Sequence, residues 1–196
     1  MSVYIFLWST WVLVILLVCF LNKQVHMIYS CHVLLIIFLS QFFIPYGVQE
    51  INAACLYIIF LSCFYIGKLP FKPMVSTVMT CLIVALVNGC MHIFSSLEPL
   101  WFSWMPAWVP AAIVVYAVMV LQKGYAGRQL TLLMGTCYGE ILHTIAYQKS
   151  WMHYPLFSPS LLNLLAAGSL FLVVWTLVEK ALGNMASYQH SHKKEI

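Results

Sequence analysis

This sequence has very little charge. It contains no aspartate, and its 9 basic and 5 acidic residues make up 7% of 196 residues, against about 25% in an ordinary soluble domain. So low a charged fraction excludes a typical water-soluble fold. The formal net charge of +4 does not indicate a nucleic-acid-binding protein, because no segment presents clustered Lys and Arg on a polar face.

In place of charge the chain has long apolar runs. Hydrophobic residues make up 63% of the sequence, the mean hydropathy is +0.94, and several runs approach the roughly 20 residues that span a bilayer. We therefore predict an all-α protein, a polytopic transmembrane helix bundle of about seven spans over residues 1–178, followed by a basic tail, residues 179–196. With charged, Pro-rich and Gly-rich stretches taken as turns, the spans lie near 3–21, 27–44, 51–66, 74–93, 107–121, 129–147 and 161–178.

The basic residues predict an orientation. One side of the predicted spans carries eight of the nine cations, and only Lys149 lies on the other; the eight are Lys23, Lys68, Lys72, Lys123, Arg128, Lys180, Lys193 and Lys194. By the positive-inside rule the eight-cation side is cytoplasmic. The N-terminus is then outside the cell membrane and the C-terminal tail inside. No basic residue precedes the first run and no small-residue cleavage site closes it, so we expect a retained anchor.

Complete catalytic or cofactor-binding motifs are missing from the sequence. All seven cysteines fall inside predicted spans, so no disulfide framework is expected. There is no P-loop, no Gly-rich dinucleotide-binding turn and no Cys-x-x-Cys pair. We therefore predict no catalytic residue, no cofactor and no metal site.

The sixth predicted span carries polar residues, which are costly in hydrocarbon unless they are paired or face a cavity. Glu140 and His143 are three residues apart, so their side chains share one helical face. Gly135 and Gly139 lie on the same side and form a small-xxx-small notch for close helix packing. This pattern predicts that the sixth span is central in the bundle.

The fourth predicted span offers a matching polar stripe. Asn88 and His92 are four residues apart on one helical face. Both spans run from inside to outside in the predicted topology, which puts the two stripes at similar depth. We expect Asn88, His92, Glu140 and His143 to form one polar cluster in the outer half of the membrane, with Asn163 close enough to join it.

Three interpretations of this cluster remain open at the level of sequence. It is structural, holding helices together through hydrogen bonds, or it is a path or pocket for a proton, ion or small polar solute. The third interpretation is a metal centre with Glu140, His143 and His92 as ligands. A single Glu-x-x-His lacks the second such motif of a di-iron bundle and the His-Glu-x-x-His of a zinc protease, so no metal is predicted.

Several strings resemble a known family of membrane proteins. FLWSTW at 6–11, NK at 22–23, LLIIFLS at 34–40, GEILH at 139–143 and YP at 154–155 are similar to the YphA-like membrane proteins of spore-forming Firmicutes. The resemblance covers most of the chain. It implies a small plasma-membrane protein with no established biochemical activity and a part in building the spore envelope, and it supplies no catalytic residues.

Two main functional hypotheses follow from these observations, and an intramembrane metalloenzyme stays open as a third. The first is a non-enzymatic membrane protein that acts by assembling with other membrane proteins or with itself, in cell or spore envelope formation. The alternative is a small-solute or proton-coupled transporter, or the substrate-binding subunit of one, that uses Glu140 and His143. The length and span number are also similar to those of vitamin-transporter binding subunits. The lipid bilayer is an expected partner in both cases, and nucleic acid in neither.

Overall fold

The computed structural model describes residues 2–20, 23–46, 49–98, 108–148, 157 and 159–192. These residues form seven helices and one two-stranded hairpin. In chain order they are α1 Ser2–Phe20, α2 Lys23–Leu39, β1 Phe43–Tyr46, β2 Gln49–Asn52, α3 Ala53–Gly67, α4 Phe71–Leu97, α5 Val109–Leu121, α6 Tyr125–Gln148 and α7 Pro159–His192. The helical bundle is as predicted, and each helix overlaps one predicted span.

Helix length and composition single out two of these helices. Among the described residues, Phe71–Ser95 of α4 and Ser160–Gly183 of α7 are both long and apolar enough to cross a membrane. The apolar parts of α1, α2, α3 and α5 are shorter, and α6 has the length but is less apolar because it carries the polar face described above. The seven-span topology and its orientation stay predictions. Lys149, Lys193 and Lys194, which contributed to the orientation, lie outside the described residues.

The centre of the bundle is α6. It packs most extensively against α4 and also contacts α3, α5 and α7. One apolar cluster lies around Cys55, Cys137 and Leu161 and joins α1, α3, α6 and α7. A second lies around Val84, Val118 and Leu132 and joins α4, α5, α6 and α7. Large apolar side chains such as Trp8, Phe60, Phe71 and Tyr116 are exposed on the outside of the bundle, as expected for surfaces in contact with lipid.

A β-hairpin lies between α2 and α3, where the all-helical prediction had only a turn. β1 and β2 are antiparallel, with Phe43 opposite Asn52 and Tyr46 opposite Gln49. The side chain of Asn52 explains why the helices end here: Oδ1 accepts a hydrogen bond from the Ala54 backbone N–H at 2.9 Å and caps α3, while Nδ2 donates to the Ser40 carbonyl at 3.0 Å. Helix α2 therefore ends at Leu39 and α3 begins at Ala53, whereas the predicted spans end near 44 and begin near 51.

Helix α7 is longer than the predicted seventh span. Its 34 residues correspond to about 51 Å at 1.5 Å per residue, whereas the hydrocarbon core is about 30 Å thick. The helix continues through residues 179–192, so most of the predicted basic tail is helical. Falling hydropathy marked the end of the apolar run, but helix formation does not require apolar residues.

Candidate functional site

Two glycines allow α4 and α6 to approach closely. A Cβ atom added to Gly139 would lie 2.8 Å from both Cβ and Nδ2 of Asn88, and one added to Gly135 would lie 2.7 Å from Cγ1 of Val84. These distances are too short for carbon–carbon contact, so only glycine fits at either position without displacement. The predicted notch therefore packs against α4 of the same chain.

Asn88 supplies a hydrogen bond across this interface. Its Nδ2 donates to the main-chain carbonyl of Thr136 at 3.3 Å, and its side chain is almost fully buried. The Thr136 hydroxyl in turn donates to the Leu132 carbonyl at 2.7 Å within α6. This pairing is typical of polar residues that hold helices together in an apolar environment.

His92, Glu140 and His143 meet one helical turn further along the same interface. Nε2 of His92 lies 3.3 Å from Oε2 of Glu140, and the His92 and His143 rings are 5.0 Å apart between centroids with an interplanar angle of 34°. One ligand-type atom from each of the three residues lies within 4.8 Å of the other two. The structure thus groups one carboxylate with two imidazoles, contributed by two helices.

Burial of this centre is uneven. Glu140 is 0% exposed and His143 1% exposed, whereas the side chain of His92 is 22% exposed. The Thr144 hydroxyl donates a hydrogen bond to the main-chain carbonyl of Glu140 at 2.9 Å, and not to its carboxylate. The carboxylate therefore lies in a medium of low polarity where electrostatic interactions are strong. Of the three side chains, that of His92 reaches the surface of the bundle.

All four residues of the predicted cluster lie on the α4–α6 interface, and their functional role stays a prediction. Asn163, expected to join them, lies near the start of α7, partly buried, and its Oδ1 has no hydrogen-bond partner among the described residues. The arrangement can hold a cation, since a buried carboxylate and two imidazole nitrogens all offer lone pairs when deprotonated.

A second polar network, not predicted from the sequence, joins α4, α6 and α7 near the start of α6. Nε2 of Gln122 donates to the Thr80 hydroxyl at 2.7 Å, and Thr131 lies 3.3 Å from the same hydroxyl. Arg128 donates from Nε to the Gln122 carbonyl at 3.0 Å and pairs with both carboxylate oxygens of Glu179 at 3.0 and 3.2 Å. In the predicted topology Arg128 and Glu179 both lie on the cytoplasmic side of the membrane. This shared position was the one indication in the sequence that the two residues could pair.

A largely apolar cavity of about 180 Å³ lies on the other side of α6, among α1, α2, α3 and α7. His32 lines it and has Nδ1 2.6 Å from the hydroxyl of Tyr57. Ser62 also lines it, fully buried, and its hydroxyl has no hydrogen-bond partner among the described residues. No local sequence pattern identifies a cavity built by five helices.

Comparison with known proteins agrees with the membrane character of the fold. The family model described as YphA-like integral membrane protein matches residues 2–196. A Bacillus subtilis (strain 168) protein named "Uncharacterized protein YphA" is 25% identical over 150 residues, which cover 76% of this chain and 74% of that protein. No solved structure matches. The match over nearly the whole chain shows that this protein belongs to the YphA-like integral membrane protein family.

Proposed function

We propose that this protein binds a small cationic solute within the membrane and carries it across. The observation that carries the proposal is the Glu140 carboxylate, fully buried between α4 and α6 with Nε2 of His92 at 3.3 Å. Intramembrane acidic side chains are rare and commonly belong to substrate or ion sites.

A purely structural role explains this residue less well. The same interface is already joined by the Asn88 hydrogen bond and by close packing at Gly135 and Gly139. Neutral hydrogen bonds and small-residue packing are sufficient to associate helices in lipid. Burying a carboxylate adds a desolvation cost that such packing does not require. A buried carboxylate is useful where the protein binds a positively charged solute. The exposed part of His92 offers the side from which a solute reaches the carboxylate.

Transport is tested with the purified protein in liposomes. Currents are recorded on a solid-supported membrane after concentration jumps of K⁺, methylammonium and Zn²⁺, each applied separately. We expect at least one of these cations to give a current that Glu140→Gln abolishes. Glu98→Gln is the matched control, because it removes the same charge from an exposed position outside the centre. Absence of current with all three cations, or a current that Glu140→Gln leaves unchanged, would contradict the proposal.

A second candidate function is assembly with partners, including another copy of this chain, in the cell or spore envelope. An exposed apolar stripe on α7 favours it: Val178, Leu182 and Met185 are 45%, 61% and 67% exposed and share one helical face at spacings of four and three residues. The stripe continues past Lys180, toward the part of α7 that exceeds the membrane thickness. Light scattering of the detergent-purified protein tests self-assembly. We expect a dimer that Leu182→Glu with Met185→Glu converts to a monomer, and a wild-type monomer would exclude it.

A further inference from the structure

We propose that His92, Glu140 and His143 bind a divalent transition-metal cation of the zinc class. This inference rests on the proposed function, because it names the cation that the α4–α6 centre takes. The protein ligands are Nε2 of His92, a carboxylate oxygen of Glu140 and one ring nitrogen of His143. The fourth position is left to water or to an exchanging ligand.

The distances fit a tetrahedral ion. With metal–ligand bonds of 2.0–2.2 Å, neighbouring ligand atoms in a tetrahedral site lie about 3.3–3.6 Å apart. Nε2 of His92 and Oε2 of Glu140 already have this separation, at 3.3 Å. The ligand atoms of all three residues lie within 4.8 Å of one another, so a side-chain adjustment of at most about 1.5 Å by His143 completes the triangle. Such an adjustment lies within ordinary rotation of an imidazole about its side-chain torsions.

The scaffold holds these three groups in place. Glu140 and His143 are three residues apart on one face of α6, and His92 reaches them from α4. The α4–α6 distance is fixed one turn away, where Asn88 packs directly on the main chain at Gly139. Sites built on packed helices keep their ligand geometry better than sites on loops.

The donor set selects the class of cation. Two imidazole nitrogens and one carboxylate are the protein ligands of several catalytic zinc sites, which keep a fourth position open. Mg²⁺ and Ca²⁺ prefer sets made only of oxygen ligands, and imidazole suits Zn²⁺ and its first-row neighbours. The His92 side chain is 22% exposed, which gives the ion a route in and out. A structural zinc site, by contrast, is closed by four protein ligands.

Binding is tested by equilibrium dialysis of the metal-stripped, detergent-purified protein against Zn²⁺, with Mg²⁺ as the hard-cation control. The variant His190→Ala with His192→Ala serves as the background, because a His-x-His pair near the C-terminus can chelate metals independently. We expect one Zn²⁺ per chain and no Mg²⁺. His143→Ala should weaken zinc binding at least tenfold, whereas His32→Ala, on another helix, should leave it unchanged. Zinc binding that His143→Ala does not weaken would overturn the proposal.

Co²⁺ substitution gives a readout that does not depend on transport and reports the ligands directly. Four-coordinate Co²⁺ absorbs in the visible range, and we expect this absorption to disappear in Glu140→Gln and in His92→Ala. The more conservative His143→Gln keeps volume and polarity, so it serves if His143→Ala fails to fold. A sulfur-to-cobalt charge-transfer band would place the ion on cysteine and overturn the proposal.

The two proposals fail separately. Zinc bound at the three residues without any current in liposomes supports the metal site and contradicts transport. A current with K⁺ or methylammonium that requires Glu140, in a protein that binds no zinc, supports transport and contradicts the metal site.

Discussion

Nε2 of His92 lies 3.3 Å from Oε2 of Glu140, and this pair joins the two most extensively packed helices of the bundle. It does so beside a second imidazole, that of His143. Since removing one partner of a buried pair leaves the other uncompensated, the variants that test function also need a measurement of folding. Monodispersity and the midpoint of thermal unfolding, Tm, in detergent serve this purpose.

The close contact at Gly139 predicts a stability difference between two glycines of the same interface. Gly139→Ala puts a Cβ atom 2.8 Å from Asn88, whereas Gly89→Ala puts one 3.5 Å from the Gly139 carbonyl, an ordinary contact. We expect Gly139→Ala to cost about 1–3 kcal/mol through overpacking, and Gly139→Leu to cost more. Gly89→Ala should be neutral or slightly stabilising, because alanine is the better helix former. Thermal unfolding of the three variants compares them, and equal Tm values for the two alanine variants would contradict this interpretation of the interface.

The contacts of Arg128 predict unequal effects for the two members of its ion pair. Arg128 bonds both Glu179 and the Gln122 carbonyl, whereas Glu179 is held by Arg128 and by the Trp175 indole. We expect Arg128→Gln to lower Tm more than Glu179→Gln does. Salt screens exposed pairs, so high ionic strength should remove the effect of Glu179→Gln and only part of the effect of Arg128→Gln. Identical salt dependence of the two variants would argue against the Gln122 contact.

Ser62 and Thr10, which both line the apolar cavity, predict changes of opposite sign. The Ser62 hydroxyl is buried without a partner among the described residues, and Thr10 donates to the carbonyls of Phe6 and Leu7. Since a buried unsatisfied polar group costs about 1–3 kcal/mol, Ser62→Ala should raise the free energy of unfolding. Thr10→Ala should lower it, because it removes a satisfied hydroxyl together with a methyl group. Denaturant unfolding of both variants measures the difference, and destabilisation by Ser62→Ala would indicate that the hydroxyl has a partner.

The predicted orientation is testable by cysteine labelling in whole cells. A membrane-impermeant maleimide should label Glu98→Cys from outside the cell, and Lys68→Cys only after permeabilisation, because the positive-inside rule places Lys68 in the cytoplasm. The unchanged chain is labelled in the same way, and the label on its native cysteines is the background. Labelling of Lys68→Cys in intact cells would reverse the topology.

Periodicity in the sequence was sufficient to bring together the residues of the α4–α6 centre. Gly135, Gly139, Glu140 and His143 share one face of α6 because helical residues three and four apart lie together, and Asn88 and His92 do the same on α4. The high cost of polar groups in an apolar interior then indicates that the two faces meet. Both steps use only local spacing and composition.

Other features depend on contacts between distant residues. The end of α2 is fixed by Asn52, which bonds Ser40 across the hairpin, and hydropathy does not distinguish a four-residue strand from the end of an apolar helix. The Gln122–Thr80–Thr131 network joins residues from two helices and a connecting turn. Neither arrangement has a recurring spacing, so neither was predictable from one sequence.

The position of α6 also determines how the α4–α6 centre can be reached. It contacts four other helices, whereas α4 has a broad apolar face, including Val78, Leu82 and Leu86, that is exposed along the outside of the bundle. Displacing either helix would break the most extensive packing in the bundle, that between α4 and α6. Since the His92 side chain is partly exposed, we expect exchange at the centre to follow rotation of this side chain and not separation of the two helices.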